Sequence, residues 1–206
     1  MSTTESPESG VRGRTRRAIL GAAASLLARR RGATLAEIAE AADVGRSTLH
    51  RYFPDRDELM RAVVDDSVEA IGRSVEDAAI GDGPPLEAMR RLVAAMVESG
   101  DRIMFLWGDP RVLEEYGPRA RWGDAAEEDC EGDAARIADD PVLDLIRRGQ
   151  AEGVFDAELS PEWIQHTLWS LVFTGVEDAD KGLLPRHGVT ATVIRTFENG
   201  IRPAAG

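Results

Sequence analysis

Apolar residues recur every three or four positions along most of the chain and almost nowhere alternate in twos, so the pattern predicts helices and almost no strand. From Arg14 to Arg31, the residues Ile19, Ala22, Ala23, Leu26 and Leu27 share one face of a first helix, with Gly32 as its stop. A short second helix opens at Thr34-Leu35-Ala36-Glu37. There, a threonine three positions ahead of a glutamate satisfies the orphan amide donors of a first turn reciprocally. Leu35, Ile38, Ala39 and Ala42 form its apolar stripe, and Asp43-Val44-Gly45 supplies a tight turn. A third helix follows, with Gly45 as N-cap, Leu49 and Phe53 one turn apart and Pro54 as terminator. Two short helices about a glycine-containing turn make a helix-turn-helix, whose second helix fits the major groove.

A long fourth helix, with Asp57 and Glu58 in its first turn, carries Leu59, Met60, Val63, Val64, Ser67, Ala70 and Ile71 and ends near Gly81-Asp82-Gly83-Pro84-Pro85. Further helices are predicted from Leu86 through Val97, from Ile103 to Glu115 as one element around Trp107, and from Pro141 to Glu152 before Gly153. Ser160-Pro161, a cap followed by proline at the first helical position, opens another through about Asp178, and the last runs from Val189 to Asn199. Residues 116–140, acidic and interrupted by glycine, have no clear pattern. The fold expected is all-α: a disordered polar arm over 1–12, a three-helix helix-turn-helix domain over 13–65, and a larger helical domain over 66–206.

A net charge of −12 argues against a nucleic-acid partner until its distribution is considered. Residues 11–56 hold ten arginines and four acids, a local charge of +6, whereas residues 57–206 hold fifteen basic and thirty-one acidic side chains, or −16. Lys181 is the only lysine, so the positive charge is almost all guanidinium, which suits bidentate phosphate or guanine contacts. A protein that coats DNA without sequence preference would need basic surface over most of its length, contrary to the acidic half.

Other chemistry is poorly represented. The three histidines, His50, His166 and His187, lie far apart, and no G-x-S-x-G, H-E-x-x-H or phosphate loop occurs, which disfavours an enzyme. Cys130 is the only cysteine, so no internal disulfide can form, and the acids Glu127 to Glu131 around it lack a nearby histidine or second sulfur for a metal. No cofactor or metal is expected. No apolar run reaches the roughly 20 residues of a membrane span, so a cytoplasmic location is expected.

Residues 34–64, TLAEIAEAADVGRSTLHRYFPDRDELMRAVV, resemble the DNA-binding domain of the TetR (tetracycline repressor) family of bacterial transcriptional regulators. Thr34, Ile38-Ala39, Ala42, Val44, Thr48-Leu49, Tyr52-Phe53 and Asp57-Glu58-Leu59 fall at that family's spacing. The resemblance implies a homodimer on a palindromic duplex operator, released when a small-molecule effector enters the C-terminal domain, and so makes 13–65 the DNA-binding domain and 66–206 the ligand-binding and dimerisation domain. It also implies that Arg46, Ser47, Thr48 and His50 face base edges or backbone, and that Thr34, Tyr52 and Arg56 contact phosphates. His50 stands where the family more often has tyrosine. Tyr52 could also be core, and Arg51, a further candidate for DNA contact, could be merely solvated.

In the C-terminal half, Ile164, Leu168, Leu171 and Gly175, with Val193 and Phe197, could pair with their copies across a dimer or complete the core of one subunit. Met96, Phe105, Trp107, Trp169 and Phe173 supply the soft or aromatic surface that lines apolar pockets, with His166 as a polar anchor; core packing accounts for each of them as well.

Overall fold

The computed structural model describes residues 7–117 and 140–202; the tip of the expected arm, residues 1–6, and most of the unassigned acidic stretch, with Cys130, lie outside them. Among the described residues there are ten α-helices and no strand: α1 (Pro7–Arg29), α2 (Leu35–Ala41), α3 (Arg46–Tyr52), α4 (Arg56–Asp77), α5 (Pro85–Glu98), α6 (Gly100–Trp107), α7 (Pro110–Tyr116), α8 (Pro141–Ala151), α9 (Pro161–Asp180) and α10 (Val189–Ile201). The chain divides into two units, residues 1–69 with 105–122 and residues 70–104 with 123–206.

The first unit is built on α1, α2 and α3. Ile19, Leu20, Ala23 and Leu27 of α1 are buried, as are Ile38 and Ala39 of α2, Leu49 of α3 and Phe53 just beyond it, all of them 3% exposed or less. Leu59, Met60, Val63 and Val64 of α4 add to its buried apolar residues. Two expectations change here. Helix α1 is already formed at Pro7, where the described residues start, so residues 7–12 of the expected disordered arm are helical. The single helix expected from Ile103 to Glu115 is two, because Asp109 accepts a hydrogen bond from the Arg111 amide at 3.1 Å and so caps a new helix that starts at Pro110.

The division also departs from a boundary at residue 65. It falls four residues later in α4 and returns residues 105–117, the end of α6 and all of α7, to the first unit. Asp109 pairs with Arg31 at 3.4 Å, the Gly108 carbonyl accepts from the same guanidinium, and the Tyr116 hydroxyl donates to Asp57 at 3.3 Å. Burial and the carboxylates of Glu115 and Asp57 push the Tyr116 phenol up to about 12, so it remains a donor.

In the second unit, α5 packs on α8, α9 and α10. Leu92, Val93 and Met96, Leu145 and Ile146, Leu168 and Val172, and Val193 and Phe197 form its core. Small residues set two close approaches. A Cβ on Gly149 would lie 2.1 Å from the Phe155 ring, and one on Gly175 would lie 2.9 Å from Val193. Buried Glu198 of α10 accepts from Arg90 of α5 at 2.6 and 3.1 Å and from Arg202 at 3.3 Å. Those hydrogen bonds, Arg90's first, hold its carboxyl below the ordinary 4.5, although burial opposes the shift. Arg91 closes on the carbonyls of Ala78, Ala79 and Asp82, and Arg148 on those of Ile80 and Gly81, which ties down the turn between α4 and α5.

Candidate nucleic-acid interface

The turn between α2 and α3 is held from both sides. The Thr34 hydroxyl accepts from the Glu37 amide at 3.3 Å, and Glu37 accepts from the Thr34 amide at 2.7 Å and its hydroxyl at 2.9 Å, completing the capping box. Those bonds from Thr34, with the Arg30 guanidinium 3.0 Å away, hold the Glu37 carboxyl below its usual range. After α2, Asp43 takes φ of +52°, a left-handed conformation that a short polar side chain tolerates better than most, and the Val44 amide returns to the Ala39 carbonyl at 2.9 Å. That sharp reversal leaves three residues between the C-cap of α2 and the start of α3.

Helix α3 has seven residues, too few to persist alone, so its rigidity comes from what it buries. Leu49 and the C-capping Phe53 are its anchors, 2% and 1% exposed. The helical period then sends Arg46, Ser47, His50 and Arg51 to solvent, with Thr48 and Tyr52 half-buried at the flanks. Tyr52 lies 6.4 Å from the Phe53 ring and 5.7 Å from the Arg51 guanidinium, so it shares in packing while its edge stays accessible. The face therefore offers a bidentate guanidinium, a hydroxyl, an imidazole and a second cation on a fixed platform, the set that hydrogen-bonds base edges and phosphates.

Two sequence candidates have internal roles. Thr34 spends its hydroxyl on the capping box. Arg56, at the start of α4, donates to the carbonyls of Ala33 at 2.5 Å and Arg31 at 2.9 Å, fixing the loop between α1 and α2. Their sequence positions gave no sign that those carbonyls would be the partners, because the contact spans 23 and 25 residues.

The six ligand candidates do not assemble within either unit. Phe105, buried, lines a cleft of about 220 Å3 in the first unit with Leu27, Arg31, Met60, Val112 and Tyr116, while Trp107 beside it in sequence is half-exposed and outside the lining. In the second unit Met96 is fully buried, and Trp169 and Phe173 pack half-buried on the core. His166 is exposed on α9: the phase that buries Ile164, Leu168 and Val172 turns it outward with Trp163 and Ser170. The cleft was not expected from sequence. The signal for it was Asp109-Pro110, the cap that turns α7 back onto α1 and α4.

Residues 19–63 match the family model of bacterial regulatory proteins, tetR family. The chain is 35% identical over 199 residues, 97% of its length and 96% of the relative's, to the HTH-type transcriptional repressor LfrR of Mycolicibacterium smegmatis. It is 30% identical over 171 residues to the HTH-type transcriptional regulator NfxB of Pseudomonas aeruginosa, covering 82% of this chain and 84% of that one. Among solved structures, LfrR from Mycobacterium smegmatis in complex with proflavine superposes with a TM-score of 0.65 at 32% identity, covering 93% of this chain and 98% of that one.

Proposed function

The chain belongs to the TetR family of bacterial transcriptional regulators, and we propose that it is a repressor that binds a palindromic operator as a homodimer and leaves it when a small molecule binds. The observation that carries this reading is the face of α3, where Arg46, Ser47, His50 and Arg51 stand exposed over the buried Leu49 and Phe53. Arg46 reads a base edge, Ser47, Thr48 and His50 add base or phosphate contacts, and Arg51 and Tyr52 hold the backbone. Thr34 and Arg56 act by positioning the starts of α2 and α4.

A homodimer places two copies of α3 about one DNA turn, ~34 Å, or a multiple of it apart. On α9, Trp163 stands 63% exposed and Leu171 is only partly buried, and these supply apolar surface for pairing. The effector site belongs to the acidic unit, where Trp169 and Phe173 are only partly covered by its core. The proflavine complex of the M. smegmatis relative supports a small-molecule effector. Coupling of about 1–3 kcal/mol between the two sites would suffice to shift operator occupancy. Such a regulator works in the cytoplasm, where its operator is, and none of the described helices is long and apolar enough to cross a membrane.

Selection of bound fragments from a random duplex pool tests the reading. An enriched inverted repeat with half-sites about one helical turn apart is the expected result; enrichment without a repeat, or none, overturns it.

A further inference from the structure

The first turns of α1 have a property that the rest of the helix lacks. From Gly10 to Ala18 none of the described side chains is buried, whereas Ile19 and Leu20 are completely so. Packing therefore does not explain the residues chosen there. Counting back from Leu27 in steps of three and four through Ala23 and Leu20, all 2% exposed or less, leads to Arg16 and then Arg12. The stripe that α1 turns toward the helix-turn-helix thus changes from apolar to cationic where the packed body ends.

The structure shows what lies at that edge. The Arg16 guanidinium sits 5.6 Å from the ring centroid of Phe53, the residue that caps α3. Arg12, one turn further out on the same face, is exposed, and among the described residues no carboxylate pairs with either arginine. By contrast, Arg30 and Arg31 at the other end of the helix region are paired with Glu37 and Asp109. A cationic line that no carboxylate among the described residues pairs, on the face that borders α3, is complementary to a polyanion already lying against α3.

We propose that the N-terminal turns of α1 form a second DNA contact, in which Arg12, with Arg16 held in place over Phe53, grips the phosphate backbone beside the site occupied by α3. The contact is to phosphate, so it adds affinity and salt dependence without base preference. It rests on the DNA-binding reading above, and its test separates the two.

The full chain is titrated by fluorescence anisotropy against a random-sequence duplex and a selected duplex over a series of salt concentrations. Arg12→Ala is expected to weaken both by the same factor and to flatten the plot of log K against log salt by about 1.8, one phosphate's share for each of the two Arg12 copies in the dimer. Arg12→Lys is expected to restore most of the loss. Arg14→Ala removes the same charge roughly 160° round the helix from Arg16 and should leave the slope nearly unchanged. Equal effects of Arg12→Ala and Arg14→Ala would reduce the stripe to diffuse charge, and an unchanged slope for Arg12→Ala would remove the contact; either overturns the proposal. If Arg46→Ala is inert in the same titrations, the DNA-binding reading itself fails.

Discussion

Arginine is put to opposite uses in the two units. In the acidic unit most of the described guanidiniums are consumed by the fold, exposed Arg195 excepted: Arg90 and Arg202 clamp Glu198, Arg91 and Arg148 gather the carbonyls of residues 78–82, and Arg186 pairs with Asp180. In the basic unit Arg30, Arg31 and Arg56 are used in the same way, but Arg12, Arg14, Arg16, Arg46 and Arg51 pair with no carboxylate among the described residues. Local acid supply explains part of the difference, since only four carboxylates accompany ten arginines over residues 11–56. Position explains the rest. The unpaired arginines stand on α3 and on the outer turns of α1, where a fixed platform ends and solvent begins. Cations bound internally stabilise one conformation, whereas cations left hydrated on a rigid surface retain their attraction for an external anion.

Three substitutions probe that contrast. Phe53→Ala removes the anchor beneath α3 and the ring under Arg16, and should cost ~3–5 kcal/mol of stability, measured by denaturant unfolding, with DNA binding lost alongside it. A variant that unfolded like the parent would mean that the platform does not depend on this ring. Arg46→Ala should leave unfolding unchanged and remove ~1–3 kcal/mol of discrimination between the selected duplex and one altered at a single base pair per half-site. Equal weakening on both duplexes would reassign Arg46 to backbone contact.

The smallest effect belongs to the acidic unit. Glu198 has its carboxyl depressed below 4.5 in the folded chain, chiefly by Arg90, so its contribution is present above that value and is lost as pH falls through the folded one. Glu198→Gln should lower the melting temperature at neutral pH by roughly a few degrees and flatten the acid limb of the stability profile below about pH 4.5, with DNA affinity unaltered. An acid limb as steep as the parent's would show that other carboxylates dominate there.

Local chemistry made much of this legible. The Thr34 to Glu37 spacing foretold the capping box, Ser160-Pro161 foretold the start of α9, and Asp43-Val44-Gly45 foretold the turn before α3. The same cap-and-proline signal at Asp109-Pro110 passed unnoticed because the apolar period of Ile103, Phe105 and Leu106 runs up to it and suggests continuity. The N-terminal turns of α1 were hidden for a different reason: polar residues with two glycines lack an apolar stripe, and helices without one leave no periodic trace.

The arrangement of hydrophobic and capping residues by itself determined an all-helical chain, a helix-turn-helix at residues 34–53, and a basic head on an acidic body, because periodicity, caps and charge are properties of neighbours along the chain. Only the tertiary structure decided which arginines are spent inside the fold and which stay available, that α7 returns to the basic unit, and that His166 faces outward. Those outcomes depend on contacts such as Arg90 with Glu198 or Arg31 with Asp109, between residues 108 and 78 positions apart, and nothing in the local sequence specifies which partner a long, flexible cation will find.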